Sequence, residues 1–533
     1  MINREKINEA IVLTQSGKFS EAEKLYLELL KENSEDYLVL TALGLFYVNI
    51  KQFDNAILYL KKALTIKESF GTVSALGFAY FEIKDYEQSA NFLELSLNHG
   101  ENQDIYNKLI LSLFYMKNYT RAIDFSTKMY EKYPNDSNAV ANLVKALTYC
   151  GKLREAETLC VNFLKENPNS PSLWFHLGFL KELIYDNDIQ ACECYKIALN
   201  LGSTEAYYNL GVSYQKQRDY LKAEENYKKM LEHSPENKDT MVSLGMCLLT
   251  QKKFEEGYSY YFKGAVSPVD KLTNNMWKKG DELKKEVVVL CDQGFGDQIQ
   301  FSRYLPLLKE KVEIIHLATR DSLKDLFRKN FPFVNIIDYK DVKPDMQAIK
   351  ITALPYVLNV DFDHIPYATG YIDSENAKIE KAKFKLGLCW EAGSVGIRTM
   401  INRSINIKLF EPILNLEHVQ TYSFQVQDSM NGNEKYPQMI NLAKDFKNFS
   451  DTARALKSMD LVITVDTCIA HLSGALGIKT YLILPKASDW RWFDDTKTTP
   501  WYNSIEIHKY SNEQTWNELI KKIINDINNL NKQ

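Results

Sequence analysis

Small residues recur along the first half of the chain at Ala22, Ala56, Ser89, Ala122, Ala156, Ala191, Ala223 and Gly257, with successive spacings of 34, 33, 33, 34, 35, 32 and 34. About three positions before most of them stands a large apolar side chain: Phe19, Phe53, Tyr86, Tyr119, Leu153, Tyr220 or Phe254. About twelve positions before lie Leu-Gly pairs at Leu43-Gly44, Leu76-Gly77, Leu177-Gly178, Leu210-Gly211 and Leu244-Gly245. The register predicts pairs of amphipathic helices, small where two helices approach and large where neighbouring pairs leave gaps. One pair cannot bury its own apolar face, so the pairs must stack. Eight of them reach roughly residue 265.

From about Lys285 the period changes. Short β-rich runs (EVVVLCD, VEIIHLAT, NIIDY, KLGLCW, TYSFQ, DLVITVD, TYLILP) alternate with helical stretches, which predicts parallel sheets with helices on both faces. The stretch from Ser267 to Lys285, with Pro268, Gly280 and a lysine-rich end, reads as a linker. A second junction near Asp373 to Lys383 divides the remainder into lobes spanning 286–375 and 383–533. The expected fold class is therefore mixed: an all-α solenoid over residues 1–265, a linker over 266–285, then two small doubly wound α/β lobes with a cleft at the carboxyl ends of their strands.

The helical period resembles the tetratricopeptide repeat. That resemblance implies a curved superhelix whose concave surface binds protein segments. The side chain two before the glycine register is polar in later units (Asn142, His176, Asn209, Ser243) and alanine in the first two (Ala42, Ala75). These polar groups are candidates to bind an extended peptide; solvated helix faces would give the same pattern.

Composition narrows the field. Apolar residues at 45% and charged residues at 25% are ordinary globular usage, so no large disordered fraction is expected. A net charge of -4 argues against a broad basic surface for nucleic acid. The eight cysteines contain no C-x-x-C pair and no Cys/His cluster at zinc spacing, which suits reduced thiols. The polar start MINREKINEA has no signal-peptide succession, and no apolar run approaches the ~18 residues of a spanning helix. A cytoplasmic location is expected, with oligomeric state left open.

Candidate chemistry falls at predicted strand ends. EVVVLCDQGFGDQIQF is a strand, a loop with Gly294 and Gly296, and a helix with Asp297 at its start. As a dinucleotide fingerprint it lacks the third glycine, and Asp297 as a plain helix cap is the competing explanation. DLVITVDTCIAHLSGALG runs a buried strand into a helix capped by Asp466 and Thr467. The backbone N–H groups of Thr467, Cys468 and Ile469, with the helix dipole, form a diphosphate seat, and His471 lies one turn on. GLCWEAGSVGIRTMINRSI supplies Arg398 and Arg403 as phosphate clamps. Gln425, at the end of TYSFQ, joins these as a candidate ligand-binding residue. Trp490, Trp492 and Trp501 suit stacking on a base or sugar, or packing behind the helix. Asp361-Phe362-Asp363 is a D-x-D string in a proline-bounded loop, a weak metal candidate.

The ordered set Trp277-x-x-Gly280-x-x-Leu283, DQGFGDQIQFSRYLP, NRSI, FSDTA, DLVITVDTCIAHLSGALG, DWRWF and TPWY resembles tetratricopeptide-repeat proteins whose C-terminal domain is similar to bacterial heptosyltransferases. The resemblance implies a glycosyltransferase B fold of two Rossmann-like lobes, independent of metal and cofactor, with the sugar nucleotide held by the C-terminal lobe. It implies Asp297 as general base, Asp466, Thr467 and His471 as a donor-binding pattern, and Arg403 near a phosphate-binding basic residue. Trp390-Glu391-Ala392-Gly393 departs from a simpler Trp-Ala-Gly, which makes Glu391 an alternative base, and Asp292 stands where the family often has Glu. The implied activity is inverting transfer from a nucleotide sugar to a hydroxyl of a protein acceptor held by the repeats. A capsule or lipopolysaccharide transferase whose repeats bind an assembly partner, and a non-catalytic scaffold, are the other function classes.

Overall fold

The computed structural model describes residues 2–379, 383–393, 403–485, 488–493, 497–510 and 513–530. The chain divides into two compact units, Met1–Ser213 and Tyr214–Gln533.

The first unit consists of paired helices, from Ile2–Gln15 and Phe19–Glu32 to Pro171–Tyr185 and Asp188–Asn200. Side-chain caps recur with the repeat: Asp36 accepts from the N–H groups of Leu38 and Val39, Ser69 from Thr72, Asn102 from Ile105 and Asp136 from Ala139. The Leu-Gly register is explained by contact. A Cβ on Gly44 would lie 2.5 Å from Leu60, and one on Gly77 would lie 2.6 Å from Leu93, so glycine permits the close approach of paired helices. The turn inside these hairpins holds a left-handed residue, which is lysine at Lys51, Lys84 and Lys117. The sequence pattern gave no sign of this.

The second unit begins with repeat helices and continues into α/β structure. Its strands are β1 (Glu286–Leu290), β2 (Ile314–Ala318), β3 (Val334–Ile337), β4 (Ala348–Lys350), β5 (Phe384–Cys389), β6 (Val419–Ser423), β7 (Ile440–Asn441), β8 (Leu461–Thr464), β9 (Thr480–Pro485), β10 (Thr498–Thr499) and β11 (Tyr502–Tyr510). Each of the seven apolar runs contains a strand. They form a four-stranded parallel sheet, ordered β3-β2-β1-β4, and a seven-stranded sheet, ordered β10-β11-β9-β8-β5-β6-β7, in which only the β10/β11 pair is antiparallel. Among the parallel strands of each sheet the chain order reverses between β1 and β4 and between β5 and β8, where a crevice is expected outside the carboxyl ends of the strands. Among the described residues, no helix is long and apolar enough to cross a membrane.

Two expectations need correction. The stretch read as a linker is pinned along β4: the Trp277 N–H donates to the Ala348 carbonyl at 2.8 Å, and the Thr273 hydroxyl donates to the Met346 carbonyl at 2.8 Å. The solenoid is also expected to form a unit of its own up to residue 265. Instead Leu249, Phe254 and Tyr258 of the last hairpin share one apolar cluster with Val287, Ile299, Leu472 and Trp490. Phe254 lies 6.3 Å from Trp501 and 6.5 Å from Phe493, ring centre to ring centre. A final repeat has no following repeat to cover its apolar edge, and here the α/β region covers it.

Candidate functional site

The first-lobe helix Phe295–Ser302 starts directly after β1, and the second-lobe helix Cys468–Ala475 starts directly after β8. Their amino ends meet. A Cβ on Gly296 would lie 2.7 Å from the His471 ring and 3.5 Å from the Cys468 Cα, so the glycine expected to admit a ligand admits the facing helix instead. Gly294 is the N-cap residue of its helix, extended at φ -62 and ψ 173, with Asp297 two positions into the first turn. Two positive helix ends thus converge on one place.

Asp297 is not a cap. Its Oδ1 accepts from Arg491 Nη2 at 2.5 Å, and Arg491 also donates to Asp489 at 2.8 Å. Arg491, inside DWRWF, is the site residue that sequence reading passed over. Its only signal was its place in that motif, because the partner Asp297 lies 194 positions away. Burial disfavours the Arg491 charge, and Asp297 and Asp489 more than restore it, holding its pKa well above the ordinary value.

Asp466 also does not cap its helix. Its Oδ1 accepts from the Trp492 indole at 2.9 Å and its Oδ2 lies 3.7 Å from Arg403. Burial, then Asp489, raises its carboxyl to about 6 against the opposing pull of Arg403. Thr467 is the cap, its hydroxyl accepting from the Ile469 N–H at 3.2 Å. That use removes Ile469 from the expected seat and leaves Thr467 and Cys468 to supply its N–H groups. Burial pushes the Cys468 thiol up to about 12. His471 is buried, 3.1 Å from the Tyr502 hydroxyl and stacked on Trp492 at 5.0 Å. Burial, then Arg491, Arg303 and Arg403, holds it far below its usual value, so it is a neutral packing and hydrogen-bonding group.

Other candidates are engaged in local structure. Gln425 accepts from the N–H groups of Trp390 and Glu391 at 3.1 and 2.9 Å and donates to the Glu391 carbonyl at 3.1 Å, so its amide shapes the turn after β5. Glu391 is buried and bonded to the Ser429 N–H at 3.0 Å and to the Ser429 hydroxyl. Trp490, Trp492 and Trp501 are all buried, which fits packing. Arg398 lies outside the described residues. Asp361 bonds the neighbouring His364 ring at 2.6 Å and caps its own turn. Among the described residues, no group of three or more His, Cys, Asp or Glu side chains is placed to hold a metal ion.

In the repeats, Asn142 donates to Asn107 at 2.7 Å. His176 is lowered to about 4 by burial and then by Lys145, so it stays neutral. The Asn209 carbonyl accepts from the Ser213 hydroxyl at 3.0 Å, and Ser243 is buried.

At the β1/β4 reversal, Asp292 accepts from the Thr352 hydroxyl at 3.0 Å. Burial raises its carboxyl from 3.8 to about 6, against the lowering effects of Thr352 and Lys350. Because the native value exceeds the unfolded one, the native state holds the extra proton between about pH 4 and 6, and stability falls as pH rises through that window. Above it the cost is fully present, at most roughly 3 kcal/mol at ~1.4 kcal/mol per unit. Asp292→Asn is therefore expected to raise stability at pH 7.5, with the gain vanishing by pH 4, as urea melts at both values would show. A gain independent of pH would reject this account.

Comparison with known proteins supports the repeats. Tetratricopeptide-repeat profiles match residues 7–69 and 204–237. Protein FlbA of Caulobacter vibrioides is 24% identical over 456 residues, covering 75% of each chain. Solved structures with similarity include a tetratricopeptide repeat protein from Parabacteroides merdae (17% identity, TM-score 0.40, covering 46% of this chain and 98% of that one) and YrrB, a repeat protein with an unusual peptide-binding site (20% identity, TM-score 0.29, covering 33% and 92%). The N-terminal region thus carries tetratricopeptide repeats, followed by an α/β region with parallel sheets.

Proposed function

We propose that the α/β region is a metal-independent, inverting glycosyltransferase of the B fold, which moves a sugar from a nucleotide-sugar donor to a hydroxyl of a protein held by the repeats. The observation that carries this reading is the meeting of two helix amino ends, Gly296 against Cys468, beside Arg491 and Arg403. Convergent N–H groups and guanidinium ions suit a phosphate leaving group, whose charge grows as the glycosidic bond breaks. Among the described residues the Arg403 Nε has no hydrogen-bond partner, and its side chain is half-buried, so it retains donors for phosphate oxygens.

In the proposed step the acceptor oxygen bonds to the anomeric carbon, the carbon–oxygen bond to phosphate breaks, and the nucleoside phosphate leaves with that electron pair. The acceptor proton passes to Asp297, whose Oδ1 is fixed by Arg491 while Oδ2 faces Gly294. The acceptor is assigned to the repeats because Asn142, His176 and Asn209 repeat one polar register on successive hairpins.

The test is a thermal-shift screen of the full chain against UDP-, GDP-, dTDP- and CMP-linked sugars with chelator present. Ligand at about 100 times Kd is expected to add ~2.7 kcal/mol to stability, a rise of a few degrees. No shift with any nucleotide sugar, or a shift only when manganese or magnesium is supplied, rejects the reading.

A further inference from the structure

We propose that Tyr261, on the last repeat helix, faces the acceptor subsite and donates a hydrogen bond to the incoming hydroxyl oxygen; this rests on the transferase reading above. Phe254, Tyr258 and Tyr261 stand at i, i+4 and i+7 of the helix Phe254–Gly264 and so share one face. The first two pack on Trp490, at 6.4 and 6.1 Å between ring centres. The next residue along, Arg491, holds Asp297.

One turn beyond Tyr258, the Tyr261 hydroxyl oxygen accepts from Gln293 Nε2 at 3.4 Å. Gln293 lies between Asp292 and Gly294 in the turn after β1, at the reversal where a ligand crevice is expected. The chain leaving the repeat helix is tied to the same turn. Ser267 donates to the Asp292 carbonyl of that turn at 3.3 Å, and Lys350, at the end of the neighbouring β4, donates to the Ala265 carbonyl at 3.2 Å.

Packing alone does not require this phenol, since the same helix uses phenylalanine at Phe254 and Phe262. Because Gln293 donates to the phenolic oxygen, the phenolic proton is directed elsewhere. Burial pushes the group up to about 12, with Asp297 and Asp292 adding to the rise and Arg491 opposing it, so the proton stays in place at neutral pH. In the transfer step Tyr261 keeps that proton. It engages one lone pair of the acceptor oxygen while the other attacks the anomeric carbon, the acceptor proton goes to Asp297, and the nucleoside phosphate departs with the bonding pair.

The test uses the full chain and water as acceptor, measuring hydrolysis of UDP-, GDP-, dTDP- and CMP-linked sugars. For Tyr261→Phe the expected result is a kcat five- to tenfold lower, about the loss of one hydrogen bond, with donor KM and Tm unchanged. Tyr260→Phe, one position away with Lys263 5.6 Å from its ring, is expected to match the wild type. A Tyr261→Phe kcat equal to wild type overturns the proposal, as does a fall accompanied by an equal rise in KM or a lower Tm. If the wild-type chain neither binds nor hydrolyses any of these donors, the transferase reading falls and takes this proposal with it. Wild-type turnover with an unaffected Tyr261→Phe rejects the role of Tyr261 alone.

Discussion

Replacing Asp297 by asparagine is expected to lower sugar transfer by roughly two to four orders of magnitude while nucleotide-sugar affinity stays within a few fold. The substitution keeps the shape of the side chain and an oxygen that Arg491 can still approach, and removes only the capacity to take a proton. Arg491 also retains Asp489 as a partner, so its charge is not stranded. Transfer rates and donor affinity measured together decide the matter. Near-normal transfer would rule out Asp297 as the base, and a loss of donor affinity as large as the loss of rate would make it a binding residue. Glu391, the other carboxylate considered, is poorly placed to replace it, since the Ser429 N–H and hydroxyl already occupy both of its oxygens.

Phe254→Ala is expected to cost about 3–5 kcal/mol, the usual range for emptying a buried phenylalanine site. Its ring sits among Trp490, Phe493, Trp501 and Phe362, so the cavity would open in the core of the second unit. The same reasoning sets where the repeats can be cut. A chain starting near residue 236 keeps the helices Lys238–Thr250 and Phe254–Gly264 and is expected to remain folded. One starting at 266 exposes Trp490 and Trp501 and is expected to aggregate. Urea melts of the point variant and size-exclusion chromatography of the two truncations test this. A stable monomer from residue 266 onward would show that the last hairpin is dispensable to the α/β core.

The sequence by itself determined the repeat helices and seven of the eleven strands described, leaving β4, β7, β10 and β11 unmarked. A period near 34 with small residues at fixed places can be satisfied only by stacked helical pairs, and the Gly44 and Gly77 contacts with Leu60 and Leu93 are the physical content of that period. Seven apolar runs bounded by turn residues located seven strands, because buried parallel strands leave a continuous apolar signature. Thr467 was legible as a cap because capping is local.

What the sequence left open depends on partners far apart in the chain. The Arg491–Asp297 pair, Asp466 against Trp492 and Arg403, and Phe254 against Trp501 join residues whose local patterns carry no record of each other. Asp466 read as a cap, and a cap competed with the base role for Asp297, because an acid at a helix start does so by default, and only tertiary packing turned Asp297 toward a guanidinium and Asp466 toward an indole. The last hairpin read as one more repeat for the same reason. Its sequence obeys the repeat period, whereas the surface that covers its outer face, and draws Tyr261 to the turn after β1, exists only once the α/β region has folded against it.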